Sequence, residues 1–239
     1  MHLYTRPVVL AALLFASSSL LAQTLVDPSG HWVGAVLAPG MEVAIEVDLQ
    51  REGDQLTGTF ANPDQNLRGL PLGNFAVEGR EVSFQVRGSA PGDRRFKGTL
   101  STDGQSLSGD YSQGGYTMPF VMARKGDPTL EAPARSAAVG KELEGTWNGA
   151  VEASGLQRRL VLTLANRPDG TSTGHFLSVD EGLEIPISAI TQKASSVVLE
   201  VRALGGTYTG ALNPAGTELV GTWNQGPAAL PLTLRRAAK

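Results

Sequence analysis

The residues with the strongest claim to chemistry lie in a glycine-rich segment of the second half of the chain. Gly170-Thr-Ser-Thr-Gly174 has the Gly-x-Ser-x-Gly spacing of a serine nucleophile, and His175 follows it directly. A nucleophilic serine needs a general base within hydrogen-bond reach and a sharp strand-to-helix turn that exposes its hydroxyl. Ser172 instead follows a hairpin turn and enters another strand pattern. The spacing is therefore interpreted as coincidence, and the sequence predicts no catalytic residue and no enzyme.

The other histidines and carboxylates give no better case for catalysis or for a metal. His31 and His175 each stand beside an aromatic residue in a strand pattern, where surface and packing roles are usual. Asp180, Glu181 and Glu184 cluster as a glycosidase pair would, but acidic residues are also common in solvated turns. The chain has no Cys, which excludes disulfides, thiolate catalysis and Cys-bound metals. We expect no metal and no cofactor.

Two polar corners are the better candidates for contact with a ligand, because each occurs twice. Asn62-Pro-Asp-Gln-Asn66 is matched by Ser178-Val-Asp-Glu-Gly182, and Gln113-Gly114 is matched by Gln225-Gly226. Turn formation explains the Gly and Asp residues but does not require a Gln at the same place twice. A Gln amide either hydrogen-bonds to backbone at one end of the fold or contacts a small molecule there. The candidate ligand-binding residues are Asp64, Gln65, Gln113, Tyr116, Asp180, Glu181 and Gln225.

These corners belong to an internal duplication that runs through the chain. Gly30-His-Trp-Val-Gly34 is matched by Gly145-Thr-Trp-Asn-Gly149, and the match continues to the end of each half. A stretch rich in Pro, Ala and Gly separates the halves, which is the composition of a linker. The predicted organisation is a signal peptide over residues 1–22, a first domain over 29–124, a flexible linker over 125–142 and a second domain over 143–237.

The elements that position these residues are predicted to be strands. Apolar and polar residues alternate over 41–49 and again over 160–164, which is a period of two. Turns such as Glu52-Gly-Asp54 end the runs and indicate hairpins. We count about eight short strands per half, enough to close an up-and-down barrel filled by its own side chains. The fold class is therefore all-β, with two tandem antiparallel up-and-down β-barrels. A single barrel of about sixteen strands is the less favoured alternative.

A Gly-x-Trp motif opens the first strand of each half, and an Arg ends the last strand. This combination resembles the signature of lipocalin- and avidin-type barrels, in which the Trp closes one end of the barrel and a cationic side chain lies across its ring. The resemblance implies these structural roles for Gly30, Trp32 and Arg124 in the first half, and for Gly145, Trp147 and either Arg235 or Arg236 in the second. A guanidinium over an indole contributes about 0.5–2 kcal/mol.

Three further motifs carry a second resemblance: Pro63-Asp-Gln65, Gly221-Thr-Trp-Asn-Gln-Gly226 and Leu230-Pro-Leu-Thr-Leu234. With these, each half resembles a small exported bacterial domain that often precedes an α/β-hydrolase or serine-hydrolase domain. The first half departs from that pattern at 110–111 and 118–122, and the second at 179–181. The sequence contains no such hydrolase domain, and the resemblance itself implies no defined activity.

The start of the chain has the pattern of an export signal. Arg6 precedes an apolar run, and Ala22 lies where a signal peptidase would cut. The run is too short to cross a bilayer, so we expect a periplasmic or secreted protein with no transmembrane segment after cleavage. A net charge of −3 without a basic cluster argues against nucleic acid as a partner. The predicted function is non-enzymatic binding of a small apolar or amphipathic ligand at the barrel mouths. The alternative is an interaction module that docks onto another envelope protein or a hydrolase.

Overall fold

The computed structural model describes residues 26–88, 93–130, 135–153 and 155–238. The predicted signal peptide lies outside these residues. Within them, the regular structure is β-strand apart from two short 3₁₀ turns, Pro63–Gln65 and Arg202–Leu204. The prediction of an all-β protein is therefore confirmed.

The first half is a closed barrel of eight antiparallel strands, in which each strand pairs with the next and the last pairs with the first. The strands are β1 (Gly30–Ala38), β2 (Met41–Glu52), β3 (Gln55–Asn62), β4 (Leu67–Glu78), β5 (Glu81–Val86), β6 (Arg95–Leu100), β7 (Ser106–Gln113) and β8 (Tyr116–Gly126). In β6, Phe96, Gly98 and Leu100 are buried while the residues between them are exposed. This alternation buries one face of the sheet, and closure removes its edges.

The second half is a nearly closed barrel with the same order of strands. These are β9 (Ser136–Ala137), β10 (Gly145–Ala153), β11 (Leu156–Asn166), β12 (Thr171–Ser178), β13 (Leu183–Pro186), β14 (Ala189–Lys193), β15 (Ser196–Val201), β16 (Gly206–Leu212), β17 (Glu218–Gln225) and β18 (Ala228–Arg236). The pair β13 and β14 takes the place of β4: β13 pairs with β12, and β14 pairs with β15. Among the described strands, none of one half pairs with a strand of the other, so the single large barrel is wrong.

The described part of the predicted linker contacts both barrels. Thr129 donates its backbone N–H to Asp48 of β2 at 2.8 Å. Strand β9 pairs with β12 beside the bend between β13 and β14. Val139 and Leu143 are buried, and the Asn166 side chain binds the N–H and the carbonyl of Val139, both at 2.8 Å. Residues 135–143 thus pack against the second barrel through both apolar and polar groups.

A tryptophan closes one end of each barrel. Trp32 and Trp147 are fully buried, and each indole N–H donates to the carbonyl four residues earlier, at 2.9 and 3.1 Å respectively. Gly30 and Gly145 precede them with φ of 154° and 115°, values that favour glycine. The Gly-x-Trp motif thus turns the chain into the first strand and places the ring across the barrel floor.

An arginine from the last strand lies over each of these rings. The guanidinium carbon of Arg124 is 4.5 Å from the centroid of the Trp32 ring, and that of Arg236 is 4.1 Å from the Trp147 ring. Arg235 instead donates to Glu218 at 2.9 Å on the exposed surface. Arg236 is therefore the residue of the second barrel that corresponds to Arg124.

The interiors of the two barrels are filled differently. In the first, the Phe96 ring packs against four other rings at centroid distances of 4.5 to 5.9 Å; these are Phe60, Phe84, Tyr111 and Phe120. The strand registers place Leu199 and Leu232 of the second barrel where Phe84 and Phe120 lie in the first. Two large rings are thus replaced by smaller side chains at these positions. An open space remains at one end of the second barrel, and other residues line it, Leu160, Phe176 and Trp223 among them. The expectation that side chains fill both interiors is wrong for the second barrel.

Candidate functional site

An open cavity of about 470 Å³ lies at the end of the second barrel away from Trp147. Its apolar wall includes Val151, Leu160, Phe176, Leu204, Trp223 and Leu230. Its polar residues are Gln65, Arg94, Arg158, Ser178, Glu181 and Gln225. A volume of this size, with an apolar wall and a few polar groups, is typical of small-molecule sites in proteins.

Two aromatic rings and one glycine shape the apolar wall. Phe176 of β12 meets Trp223 of β17 edge-on, with ring centroids 6.2 Å apart. Gly206 at the start of β16 leaves room for the indole, because a Cβ there would lie 2.2 Å from the Trp223 ring. Most of the apolar wall therefore comes from strand residues, with Leu204 added by the 3₁₀ turn Arg202–Leu204.

The duplicated glutamines each bind the buried aromatic residue two positions earlier. The Tyr111 hydroxyl donates to Oε1 of Gln113 at 3.0 Å, and the Trp223 indole N–H donates to Oε1 of Gln225 at 3.2 Å. Burial raises the pKa of Tyr111 to about 12, which keeps the hydroxyl protonated as a donor. Gln225 also donates to the carbonyl of Leu204 at 2.8 Å. These bonds explain why both halves keep the Gln.

The duplicated aspartates fasten their turns to the second strand of each barrel. The backbone N–H of Ala44 donates to Asp64 at 3.1 Å, and that of Arg159 donates to Asp180 at 2.7 Å. The Arg159 guanidinium also donates to Asp180 at 2.6 and 2.8 Å, which holds the pKa of that carboxyl below its usual value. Neither aspartate lines the cavity, and both act on the shape of the corner.

Of the seven ligand-binding candidates, the cavity brings together Gln65, Glu181 and Gln225. Gln113 lies in the first barrel, bound to Tyr111. Tyr116 lies at the start of β8 in the first barrel, is 76% exposed and does not line the cavity. The two matching corners thus meet at one site, with Gln65 contributed by the first barrel and Glu181 by the second.

The cavity is shared because the two barrels meet beside it. The backbone N–H of Glu184 donates to the carbonyl of Arg87 at 3.0 Å, and the two side chains form an ion pair at 3.2 Å. Nη1 of Arg94 lies 3.5 Å from the carbonyl oxygen of Gly182. Leu67, from the start of β4, joins Gln65 and Arg94 in the wall. First-barrel residues therefore complete a site that the second barrel largely builds.

Arg158 is a site residue that the sequence interpretation missed, although a signal for it was present. It lies two residues before Leu160 on the inward-facing row of β11 and pairs with Val151. In the first barrel the matching residue is Val43, which pairs with Val36. A charged residue at an inward-facing position of a strand indicates that its side chain faces a cavity rather than a packed core. Arg94 has no comparable signal, because its place depends on how the barrels meet.

The serine motif has a structural role in this fold. Ser172 is buried and its hydroxyl donates to the carbonyl of Ala137 at 2.8 Å, where β9 joins β12. His175 lies three residues further along the same strand, so the two side chains point to opposite faces of the sheet. In the described ranges, no group of three His, Asp or Glu side chains is placed to hold a metal ion.

No family model matches this chain, and no curated protein matches its sequence. Two solved structures resemble it over most of their length. One is a candidate outer membrane protein of Bacteroides fragilis, with 9% identity and a TM-score of 0.28, covering 87% of this chain and 96% of that one. The other is a protein of unknown function from the DUF3598 family of Nostoc punctiforme, with 12% identity and a TM-score of 0.24, covering 90% and 97%. Likeness at this level carries no functional argument. Within the described residues, no helix is long and apolar enough to cross a bilayer.

Proposed function

We propose that the protein binds a small amphipathic molecule in the cavity of the second barrel, without chemical conversion. The observation that carries this proposal is an open cavity of about 470 Å³ with a leucine-rich and aromatic wall and polar groups on its rim. Each methylene buried there contributes about 0.8 kcal/mol, so a short hydrocarbon body suffices for binding. The Trp floor with an arginine across it supports kinship with lipocalin- or avidin-type barrels. The signal-peptide pattern supports a role in the periplasm or outside the cell.

A neutral fluorescent probe tests this proposal. N-phenyl-1-naphthylamine should bind at one site per chain, with increased emission and energy transfer from Trp223. Leu230→Trp, at the cavity wall, should reduce its affinity at least about tenfold by filling the space. Val220→Trp is the matched control, because Val220 is 53% exposed on the neighbouring strand and lies outside the wall. Equal binding by the two variants, with both folded by circular dichroism, would refute the proposal.

A second candidate function is docking onto another envelope protein or a hydrolase. Met41 and Tyr116 are 61% and 76% exposed, on the adjacent β1–β2 and β7–β8 hairpins of the first barrel. Exposed aromatic and methionine side chains are enriched at protein interfaces. A photoreactive residue at 116 should then give one discrete crosslinked species in envelope preparations, lost on Met41→Ser. The control is Leu156→Ser, a 63% exposed position on the second barrel. A product that is unchanged by Met41→Ser would contradict docking at this face.

A further inference from the structure

The charged residues that line the cavity indicate what charge a ligand would carry. Among the described residues that line it, two guanidinium groups, Arg94 and Arg158, face one carboxylate, Glu181. The wall therefore carries one net positive charge beside an apolar surface. The Arg158 side chain is 41% exposed, so solvent already screens part of its charge. An incoming anion would add charge-assisted hydrogen bonds to these guanidinium groups.

Glu181 occupies the position that such an anion would take. Its Oε1 pairs with the Arg158 guanidinium, while its Oε2 accepts the Ser178 hydroxyl at 2.6 Å. The Glu181 side chain is 36% exposed, so it can turn to solvent and be hydrated when displaced. The exchange of one carboxylate for another leaves Arg158 paired throughout. Arg158 accordingly has a binding partner both with and without ligand.

Arg94 approaches the same turn from the first barrel. Its Nη1 lies 3.5 Å from the Gly182 carbonyl, one residue from Glu181. The two guanidinium groups thus flank the segment Glu181–Gly182, one from each barrel. In the first barrel the position of Arg158 is held by Val43, so this charge arrangement belongs to one mouth and is not a property of the repeated fold.

We propose that the ligand is a singly charged anionic amphiphile whose carboxylate replaces Glu181 on Arg158 and reaches Arg94. This inference rests on the proposed function, since it assigns the head group of the same ligand. The apolar body lies against Phe176 and Trp223, and the head group lies at the contact between the barrels. Binding therefore joins a residue of the first barrel to one of the second.

The test compares three probes that share a ten-carbon chain, measured by displacement of the neutral dye from the full-length protein. Decanoate should bind at least about tenfold more tightly than decanol, and decyltrimethylammonium should bind most weakly. Equal affinity of decanoate and decanol would overturn the anion assignment while leaving the proposed function intact. If the neutral dye and all three probes fail to bind, the proposed function itself fails.

Variants separate the two arginines from a general effect of charge. Arg158→Gln and Arg94→Gln should each lower decanoate affinity about tenfold and leave decanol unchanged. Glu181→Gln should raise the affinity for decanoate, because this substitution removes the carboxylate that competes for Arg158. The matched controls are Arg235→Gln and Glu218→Gln. These two side chains form an ion pair at 2.9 Å and do not line the cavity. Weaker decanoate binding by Glu181→Gln, or equal losses in the control variants, would overturn the proposal.

Discussion

Replacing Trp147 by Ala should selectively unfold the second barrel. The ring is fully buried, its N–H donates to the Leu143 carbonyl at 3.1 Å, and Arg236 lies 4.1 Å from its centroid. Truncation of a buried Trp to Ala costs about 3–5 kcal/mol. A domain of this size has a total free energy of unfolding of about 5–15 kcal/mol, so the variant keeps little margin. Trp147→Phe retains most of the packing and leaves the Leu143 carbonyl unpaired, which costs about 1–3 kcal/mol.

Hydrogen exchange with mass spectrometry at increasing urea measures the two barrels separately. For Trp147→Ala, peptides from β10 to β18 should lose protection at a lower urea concentration, and those from β1 to β8 should change much less. Thermal unfolding gives a second measurement. Since 1 kcal/mol shifts the melting temperature of a domain this size by roughly 4–8 °C, the melting temperature of the second barrel should fall by at least about 12 °C in Trp147→Ala. Trp147→Phe should fall between this variant and the parent. An unchanged midpoint for Trp147→Ala would show that the ring does not hold the floor.

Three further predictions concern the wall, the first core and the contact between barrels. In Gly206→Val the new Cβ would lie 2.2 Å from the Trp223 ring and should push that ring into the cavity. The affinity for the neutral dye should fall at least about tenfold, while hydrogen exchange in the first barrel should not change. Phe96→Ala should destabilise the first barrel by about 3–5 kcal/mol in urea unfolding, because its ring packs on four others. Arg87→Ala should cost no more than about 1 kcal/mol, since the Arg87 side chain is 54% exposed and solvent screens its charge, although the Glu184 side chain is 20% exposed. A loss of more than about 2 kcal/mol of stability in Arg87→Ala would mean that this ion pair contributes most of the interaction between the barrels.

The sequence predicted the strands and the barrel floor because both have local causes. Alternation over 41–49 reports which face of β2 is buried, whatever the strand pairs with. The repeated Gly-x-Trp motif pointed to Trp32 and Trp147, since a large ring kept at the first strand of both copies needs a structural reason. The choice between Arg235 and Arg236 stayed open, because it depends on which face of β18 points inward.

The site could not be predicted from the patterns of single strands, because it depends on contacts between distant strands and between the two barrels. The cavity wall appears only when strand residues far apart in the sequence, such as Leu160, Phe176 and Trp223, are brought together by the fold. Gln65 was predicted because the polar corner 62–66 has a counterpart at 178–182, and the structure places it in the wall of the other barrel's cavity. The packing of residues 135–143 was not predicted, because a Pro- and Ala-rich composition gives no periodic pattern that would mark Val139 and Leu143 as buried.

The two copies have diverged in complementary ways, which bears on the role of the first barrel. Aromatic packing around Phe96 fills its interior, so it offers little internal space for a ligand. Its mouth residues Gln65 and Arg94 are instead presented to the cavity of the second barrel. A side chain held in place before binding lowers the entropic cost of binding, and we expect the packed first barrel to hold Arg94 in this way. Under the proposed function, the second barrel holds the ligand and the first barrel completes the wall of its site.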